Sequence, residues 1–298
     1  MQRLGFFIDG STVLRSWSLK GGMVAEMMAV EVEIGDGTVR KLVVRRPSSR
    51  AEFETLKLVE GLGLAAPKPY LLDESGDRPG LVMEYVEGEM DFSPEDVDGY
   101  GRDIARQMAE QLARIHSVDL SGYDVSFLKR RGRACVEIGR TRPYLVDGMA
   151  AGLEVGRMEA ILSEGPLGPG NPPGLLHGDF WAGNMLWREG ELVAVVDWED
   201  AGLGDPLKDL AEARVEMVWL FGVAVVERFT DYYRAMRAID FTNLPYWDLC
   251  AVLRLVRLTK GDWGWLVDFV REFGREDVTG EGIGEGYRRF VEGGGVNN

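Results

Sequence analysis

Three polar residues that could bind a cation and accept a proton are close together in the sequence. Asp179 precedes Asn184, and Asp197 follows two short apolar runs, 185–187 and 192–196, around a Gly-containing turn. This pattern predicts a β-hairpin, which brings Asn184 and Asp197 side by side, with Asp179 on the loop that leads into it. Two carboxylates and one amide oxygen suit a hard divalent cation, and one carboxylate is left to accept a proton.

Composition limits the classes of partner. The 298 residues carry a net charge of −15, which argues against binding to a nucleic-acid backbone and is weakly compatible with a cationic small substrate. The longest apolar run, 217–226, is too short to span a bilayer. Cys135 and Cys250 lack metal or redox spacing and are expected as free thiols in a reducing compartment. We therefore expect a cytoplasmic protein without a membrane or nucleic-acid partner.

The elements that position these residues begin with β structure. Apolar segments at 14–19, 27–34 and 39–44 predict strands, and Gly35-Asp36-Gly37 marks a hairpin between the last two. Gly21-Gly22 is either a simple turn or a loop that covers phosphate groups, because glycine lets backbone N–H groups approach phosphate oxygens.

The third strand ends in two arginines, Arg45 and Arg46, and a helix is predicted over 51–61. Strand alternation turns only one arginine towards a cleft. That arginine could pair with Glu52 or Glu54 of the helix, and a fixed ion pair of this kind could hold nucleotide phosphates.

The composition becomes helical after Glu87-Gly88, so we divide the chain into a β-rich N-lobe, 1–88, and a mainly helical C-lobe, 89–298. The fold class predicted is α+β. Helices are predicted over 94–116, 207–237, 244–258, 262–273 and 281–292, and residues 124–155 are expected as helix or loop. Asp205-Pro206 is a helix start, and Asp209, one turn further on, is expected to hydrogen-bond back to the preceding loops.

The C-lobe motifs resemble those of a known family. The pattern His177-Gly-Asp179, Asn184, Asp197-Trp-Glu199 and Gly204-Asp205-Pro206-x-x-Asp209-Leu210-Ala211 is similar to that of the aminoglycoside phosphotransferase superfamily. That superfamily has a bilobal protein-kinase-like fold and includes antibiotic, choline, homoserine and fructosamine kinases. The resemblance covers nearly the whole chain, with specific motifs in the C-lobe and looser ones in the N-lobe.

The resemblance implies roles for the C-lobe residues. Asp179 is implied to be the catalytic base, and Asn184 and Asp197 the Mg²⁺ ligands that bridge the phosphates of ATP. His177 and His116 are implied to be structural.

The N-lobe roles follow in the same way. Arg45 is implied to bind phosphate with Glu52 as its partner, although Arg46 leaves this ambiguous by one residue. The resemblance implies a hinge that meets the adenine edge, formed by Met83, Glu84, Tyr85 and Val86, and a phosphate-covering loop formed by Gly21, Gly22 and Met23.

The function predicted is an ATP- and Mg²⁺-dependent transfer of phosphate to a hydroxyl group of a small molecule. The alternative is a non-catalytic, nucleotide-binding regulatory protein with a kinase-like fold. A protein kinase is disfavoured, because the segment from Trp198 to Leu210 contains no long activation segment ending in Ala-Pro-Glu.

The acceptor and the oligomeric state cannot be read from the sequence. Acceptor contacts are expected from the C-terminal helices, which carry Asp248, Asp262, Trp263, Trp265 and Asp268. Such groups suit a cationic or sugar-like ligand, unless the tryptophans pack in the core and the acids face water.

Overall fold

The computed structural model describes residues 11–19, 25–75, 77–93, 103–131 and 153–293. Its N-terminal part is an antiparallel sheet of five strands, β1 (Thr12–Ser18), β2 (Glu26–Glu33), β3 (Val39–Arg46), β4 (Pro69–Asp73) and β5 (Gly80–Glu84). Their order in the sheet is β1-β2-β3-β5-β4. The three predicted N-terminal strands are confirmed within two residues at each end.

Both faces of this sheet bury apolar side chains. Val43 and Met83 belong to the main core together with Leu56 and Val59 of helix α1 (Arg50–Gly61). Alternation along the strands turns their neighbours to the opposite face, where a second cluster contains Val30, Val32, Leu42, Val44 and Val82. Helix α1 begins where the Ser49 hydroxyl accepts a hydrogen bond from the backbone N–H of Glu52, at 3.1 Å.

The C-terminal part contains short strands around the predicted hairpin. The hairpin consists of β8 (Met185–Arg188) and β9 (Glu191–Val195), so that prediction is confirmed. A second small sheet has the order β6-β10-β7, formed by β6 (Lys129–Arg131), β10 (Gly202–Gly204) and β7 (Gly174–Leu176). The expectation of helix or loop over 124–155 is wrong at β6, because these polar residues pair with β10, which is distant in sequence.

Seven helices after α1 are present among the described residues. They are α2 (Ile104–His116), α3 (Val155–Glu164), α4 (Leu207–Phe221), α5 (Val223–Met236), α6 (Leu244–Leu258), α7 (Gly264–Arg271) and α8 (Gly280–Gly293). The single helix predicted over 207–237 is in fact two, because the chain turns at Gly222, whose φ is +86°. The predicted start of α4 is confirmed: Asp205 Oδ1 accepts a hydrogen bond from the N–H of Leu207, at 3.0 Å.

The segment that follows β5 contacts the C-terminal part of the chain. The backbone of Glu89 exchanges two hydrogen bonds of 2.9 Å with Trp187 of β8, so the chain joins the C-terminal hairpin as it leaves the sheet. The result is the predicted α+β arrangement, a β-rich N-lobe and a mainly helical C-lobe.

Two further observations concern the surroundings of the protein. The expectation of a free thiol is wrong for Cys250, which is disulfide-bonded, and this removes the cysteine-based argument for a reducing compartment. Within the described ranges, none of the helices has the length and apolar character needed to cross a membrane.

Candidate active site

A cavity of about 560 Å³ lies between the five-stranded sheet and the helical part of the chain. Residues of β2, β3, β5 and α1 line one side, and the 179–184 loop, α6 and α7 line the other. The volume falls in the range typical of pockets for small ligands and cofactors. Asp179, Asn184 and Asp197 all line it, so the three polar residues singled out in the sequence are brought together.

The loop that carries Asp179 is held by buried hydrogen bonds. Asp209, at the start of α4, accepts from the backbone N–H of His177 at 2.6 Å and of Gly178 at 3.1 Å, and His116 lies 3.4 Å from the same carboxylate. Asp209 and His116 are buried. The expectation that Asp209 bonds back to the preceding loops is therefore confirmed by these contacts.

His177 orients the same loop. Its Nε2 lies 2.9 Å from the carbonyl oxygen of Val196, and the backbone N–H of Asp179 donates to its Nδ1 at 3.3 Å. Burial lowers the pKa of His177, so the ring is neutral and these two bonds assign its proton to Nε2. Such a ring ties the loop to the end of the hairpin and has no lone pair left for proton transfer.

Both oxygens of the Asp179 carboxylate have a partner. The amide Nδ2 of Asn184 donates to Oδ2 at 3.0 Å and to the backbone oxygen of Asp179 at 2.8 Å. The guanidinium of Arg254, on α6, lies 3.5 Å from Oδ1. The carboxylate is about one-third exposed, so a substrate can reach it.

Asp197 combines an unusual backbone conformation with partial burial. Its φ of 62° places it in the left-handed region, which costs energy for a non-glycine residue and is frequent at functional sites. Burial raises the pKa of Asp197 to about 6; Arg45 lowers it, and the neighbouring carboxylate of Glu199 raises it further. A carboxylate in such surroundings gains from a nearby cation.

The oxygens of Asn184 and Asp197 fit a magnesium ion. The amide nitrogen of Asn184 is engaged with Asp179, so its amide oxygen points away from that residue. Mg²⁺ commonly uses one or two protein oxygens and completes its shell with phosphate and water. No group of three or more His, Cys, Asp or Glu side chains suited to a metal occurs among the residues that the structure describes.

Arg45 faces the cleft, and Arg46 does not. The buried guanidinium of Arg45 contacts Glu52, lies 2.6 Å from Glu199 Oε2 and lies 3.2 Å from Asp197 Oδ1. Arg46 instead lies 3.5 Å from Asp73 on β4. The register of β3 thus turns Arg45 rather than Arg46 towards the cleft, and Glu52 rather than Glu54 is its partner on α1. The binding of phosphate by Arg45 stays a prediction.

The remaining predicted residues divide into two groups. Met83, Glu84, Tyr85 and Val86 line the cavity where β5 ends, next to the junction of the two lobes. Gly21, Gly22 and Met23 lie outside the described residues.

The lining residues that received no role from the sequence include Glu199, Glu216 and Arg254. Glu199 is part of the Asp-Trp-Glu motif, and its position two residues after Asp197 could have indicated that it lines the site. Arg254 interrupts an otherwise apolar stretch of α6, and a charged residue within a buried helix was a signal for a functional contact. Glu216 lies one turn beyond the buried Glu212 on α4.

The residues expected to contact an acceptor are divided between the cavity, the core and the surface. Trp265 lines the cavity, whereas Trp263 is fully buried in the core. Asp248 forms a buried ion pair with Arg214, and Asp262 and Asp268 face solvent. The interpretation of packed tryptophans and solvated acids is thus correct for Trp263, Asp262 and Asp268, and wrong for Trp265, which lines the cavity, and for Asp248, which is buried.

Comparisons with known proteins show which family and which fold the chain resembles. The sequence profile of the phosphotransferase enzyme family matches residues 29–247. Acyl-CoA dehydrogenase family member 11 of Rattus norvegicus is 27% identical over 237 residues, which are 70% of this chain and 30% of that protein. The chain therefore spans less than a third of this relative. Viomycin phosphotransferase of Streptomyces vinaceus is 27% identical over 183 residues, covering 53% of this chain and 59% of that protein.

Solved structures share the fold. A thermostable mutant of aminoglycoside phosphotransferase APH(4)-Ia, in a ternary complex with AMP-PNP and hygromycin B, superimposes with a TM-score of 0.63 at 18% identity and covers 96% of both chains. Spectinomycin phosphotransferase APH(9)-Ia, in complex with ADP and spectinomycin, gives 0.62 at 14% identity and covers 93% of both chains. The bilobal, kinase-like fold predicted from the sequence is confirmed.

Proposed function

The chain belongs to the phosphotransferase enzyme family, and we propose that it transfers the γ-phosphate of ATP to a hydroxyl group of a small molecule. The observation that supports this best is the surroundings of Asp179. Its carboxylate is held by Asn184 and Arg254 at the floor of a cleft that also contains Asp197 and Arg45.

Asp179 acts on the acceptor. The hydroxyl oxygen attacks the γ-phosphorus, its proton passes to the Asp179 carboxylate, and the bond between the γ-phosphorus and the bridging oxygen breaks to release ADP. The hydrogen bond from Asn184 to Oδ2 fixes the orientation of the carboxylate, so that Oδ1 is the oxygen turned towards Arg254 and the substrate. Positioning of this kind is the main contribution a protein makes to phosphoryl transfer.

Asn184 and Asp197 are the proposed ligands of Mg²⁺, which when bound neutralises charge on the phosphates. Arg45 binds the phosphates of the nucleotide. Glu52 fixes one side of its guanidinium, while Asp197 and Glu199 contact the other side, which is where the phosphates would bind.

The two lobes are proposed to have different roles in binding. We propose that residues 1–88 bind the nucleotide, that residues 83–86 contact the adenine edge, and that residues 89–298 supply the catalytic loop and the acceptor site. Gly21, Gly22 and Met23 are proposed to cover the phosphates. The nucleotides bound to the structurally similar phosphotransferases, AMP-PNP and ADP, support the choice of an adenine nucleotide.

An ATP-turnover screen tests this function. Purified protein is incubated with ATP and Mg²⁺ over a panel of aminoglycosides, macrolides, choline, homoserine and simple sugars and alcohols, and ADP release is measured. We expect at least one acceptor to stimulate release. We expect Asp179→Asn to lower that rate at least about 100-fold, the usual scale of general-base catalysis, while ATP and Mg²⁺ still raise the melting temperature.

Two outcomes would contradict the proposal. Unchanged turnover in Asp179→Asn would exclude this residue as the base. A gain in melting temperature with ATP and Mg²⁺, but no ADP release with any acceptor, would favour the regulatory alternative.

A further inference from the structure

The part of the cavity next to Asp179 has an aromatic lining. Four partly exposed rings, Trp181, Trp265, Phe269 and Phe273, form it, and we call them the aromatic wall. Trp181 is two residues from Asp179, so the wall begins beside the carboxylate that accepts the proton.

The aromatic wall is packed against buried residues. Phe92 lies behind it, fully buried, with its ring centroid 6.1, 5.7 and 5.0 Å from those of Trp181, Phe269 and Phe273. The Trp181 ring lies so close to Gly183 that a Cβ at that position would come within 2.3 Å of it. Packing against Phe92 therefore holds Trp181, Phe269 and Phe273 in place, and Gly183 leaves room for the Trp181 ring.

Two of the rings of the aromatic wall lie on the same face of helix α7. Trp265 and Phe269 are four residues apart on α7 and therefore share one face of the helix. Leu258, at the end of α6, adds an aliphatic side chain that is 59% exposed and also lines the cavity. Large apolar groups in a cavity that reaches the reacting carboxylate indicate an apolar ligand.

The described lining of the cavity carries more acidic side chains than basic ones, but several of the acidic groups beside Asp179 are paired or protonated. Asp179 and Glu216 are faced by Arg254, whose guanidinium lies 3.5 Å from Asp179 and 3.8 Å from Glu212. Burial, and next the charge of Asp179, raise the pKa of Glu216 to about 8, so it is mostly protonated at neutral pH. Asp200, also in the cavity, is paired with Arg131 at 2.7 Å. Among the described residues beside the aromatic wall, the attraction for a ligand with several positive charges is therefore weaker than these carboxylates would give if all were ionised and unpaired.

We propose that the acceptor is an alcohol with an apolar body, an alkyl chain or a ring, that packs against the aromatic wall while its hydroxyl group reaches Asp179. This assumes that the cleft transfers phosphate, as proposed above. It also differs from the cationic acceptor with which the net charge of −15 is weakly compatible.

A series of straight-chain alcohols tests the wall by binding, independently of turnover. Binding of 1-butanol, 1-hexanol and 1-octanol is measured by tryptophan fluorescence with AMP-PNP and Mg²⁺ present. Since each buried methylene contributes a roughly constant free energy, we expect the dissociation constant to fall roughly three- to fourfold per added CH₂. Phe269→Ala and, at the more exposed rim, Leu258→Gln should reduce this slope. Tyr123→Ala, which truncates a ring exposed elsewhere on the surface, should not.

Phosphate transfer to the same alcohols, with ADP release compared against kanamycin and hygromycin B, completes the experiment. The apolar acceptor is supported if the dissociation constant falls steeply with chain length, if Phe269→Ala and Leu258→Gln reduce this dependence, and if phosphate is transferred to the longer alcohols. A dissociation constant that does not change with chain length, or a slope that stays the same in both variants, would overturn the apolar acceptor. Transfer to kanamycin or hygromycin B alone would also overturn it, but would support the proposed phosphotransfer. A steep series without transfer to any acceptor would contradict the proposed function while leaving the apolar site in place.

Discussion

The amide of Asn184 donates two hydrogen bonds to Asp179, one to its backbone oxygen at 2.8 Å and one to Oδ2 of its carboxylate at 3.0 Å. The residue proposed to bind magnesium therefore also orients the residue proposed to accept the proton. A change at Asn184 should affect both the cation requirement and the chemical step.

We expect Asn184→Ala to raise the Mg²⁺ concentration for half-maximal turnover by roughly 10- to 100-fold, the scale found when groups around a metal are removed. The maximal rate at saturating Mg²⁺ should also fall, because the carboxylate of Asp179 loses its fixed orientation. Turnover is measured over a titration of Mg²⁺ at constant ATP. Asn171→Ala, which removes an amide bonded to Asp205 instead, is the control. An unchanged Mg²⁺ dependence in Asn184→Ala would remove this residue from the metal site.

Arg45 and Arg46 are neighbours in sequence with opposite surroundings, and their variants should differ. Arg45→Ala leaves Glu52 buried without its cation, so we expect it to lower the free energy of unfolding by about 3 kcal/mol or more. Arg46 is one-third exposed, and Arg46→Ala should cost about 1 kcal/mol or less. Urea denaturation measures both.

The same pair tests phosphate binding. Arg45→Lys keeps a charge beside Glu52 and should fold, but it lacks the planar fork that contacts two partners at once. We expect its KM for ATP to rise roughly 10-fold or more, whereas Arg46→Lys should leave the KM unchanged. The reverse result would assign the phosphates to Arg46.

Features of the site that depend on local sequence were predictable. The hairpin over 185–195 follows from two apolar runs around a glycine turn, and this alone places Asn184 beside Asp197. The choice between Arg45 and Arg46 required the register of β3 against its neighbours, which a sequence pattern does not give. Contacts of long sequence separation were missed, because no local rule links α6 to a loop 75 residues earlier, as Arg254 is linked to Asp179.

Departures from the predicted elements have the same origin. Lys129–Arg131 has no apolar alternation and becomes a strand only because β10 supplies a partner. From the sequence, Gly222 could be either a glycine tolerated inside a helix or the end of one. In the structure the chain turns there, and α4 and α5 pack against each other.

Gly178, next to the proposed base, should not tolerate a side chain. Its φ is +87°, and a Cβ would lie 2.1 Å from the backbone oxygen of Asp200. We expect Gly178→Ala to displace the loop that carries Asp179 and to lower turnover at least about 100-fold. Gly190 has a similar φ of +82° with no atom within 4 Å of its Cβ position, so Gly190→Ala should cost only about 1–2 kcal/mol of stability.

Comparison of the two glycines separates backbone strain from steric overlap. Turnover per folded molecule is measured for both variants after their melting temperatures are known. If Gly178→Ala retained the turnover of Gly190→Ala, the close approach of Asp200 would have no bearing on the position of Asp179.

Glu216 should make stability depend on pH. Burial, and next the charge of Asp179, raise its pKa from 4.5 to about 8. A carboxyl group with a raised pKa keeps its proton in the folded state while the unfolded chain already loses it. Its contribution is therefore fully present below about pH 4.5, decreases as the pH rises towards 8, and changes no further above that value.

Glu216→Gln removes this titration but keeps an oxygen that can accept from the indole N–H of Trp219, at 3.0 Å in the native protein. We expect the variant and the native protein to have similar free energies of unfolding at pH 5. At pH 9 the variant should be more stable, by about 2 kcal/mol after allowing for partial exposure of the side chain. Urea denaturation at pH 5, 7 and 9 measures the difference, with the exposed Glu227→Gln as the control. A difference that stays constant over this range would mean that Glu216 ionises as readily in the folded protein as in the unfolded chain, and the charge balance beside the aromatic wall would then be more negative than proposed.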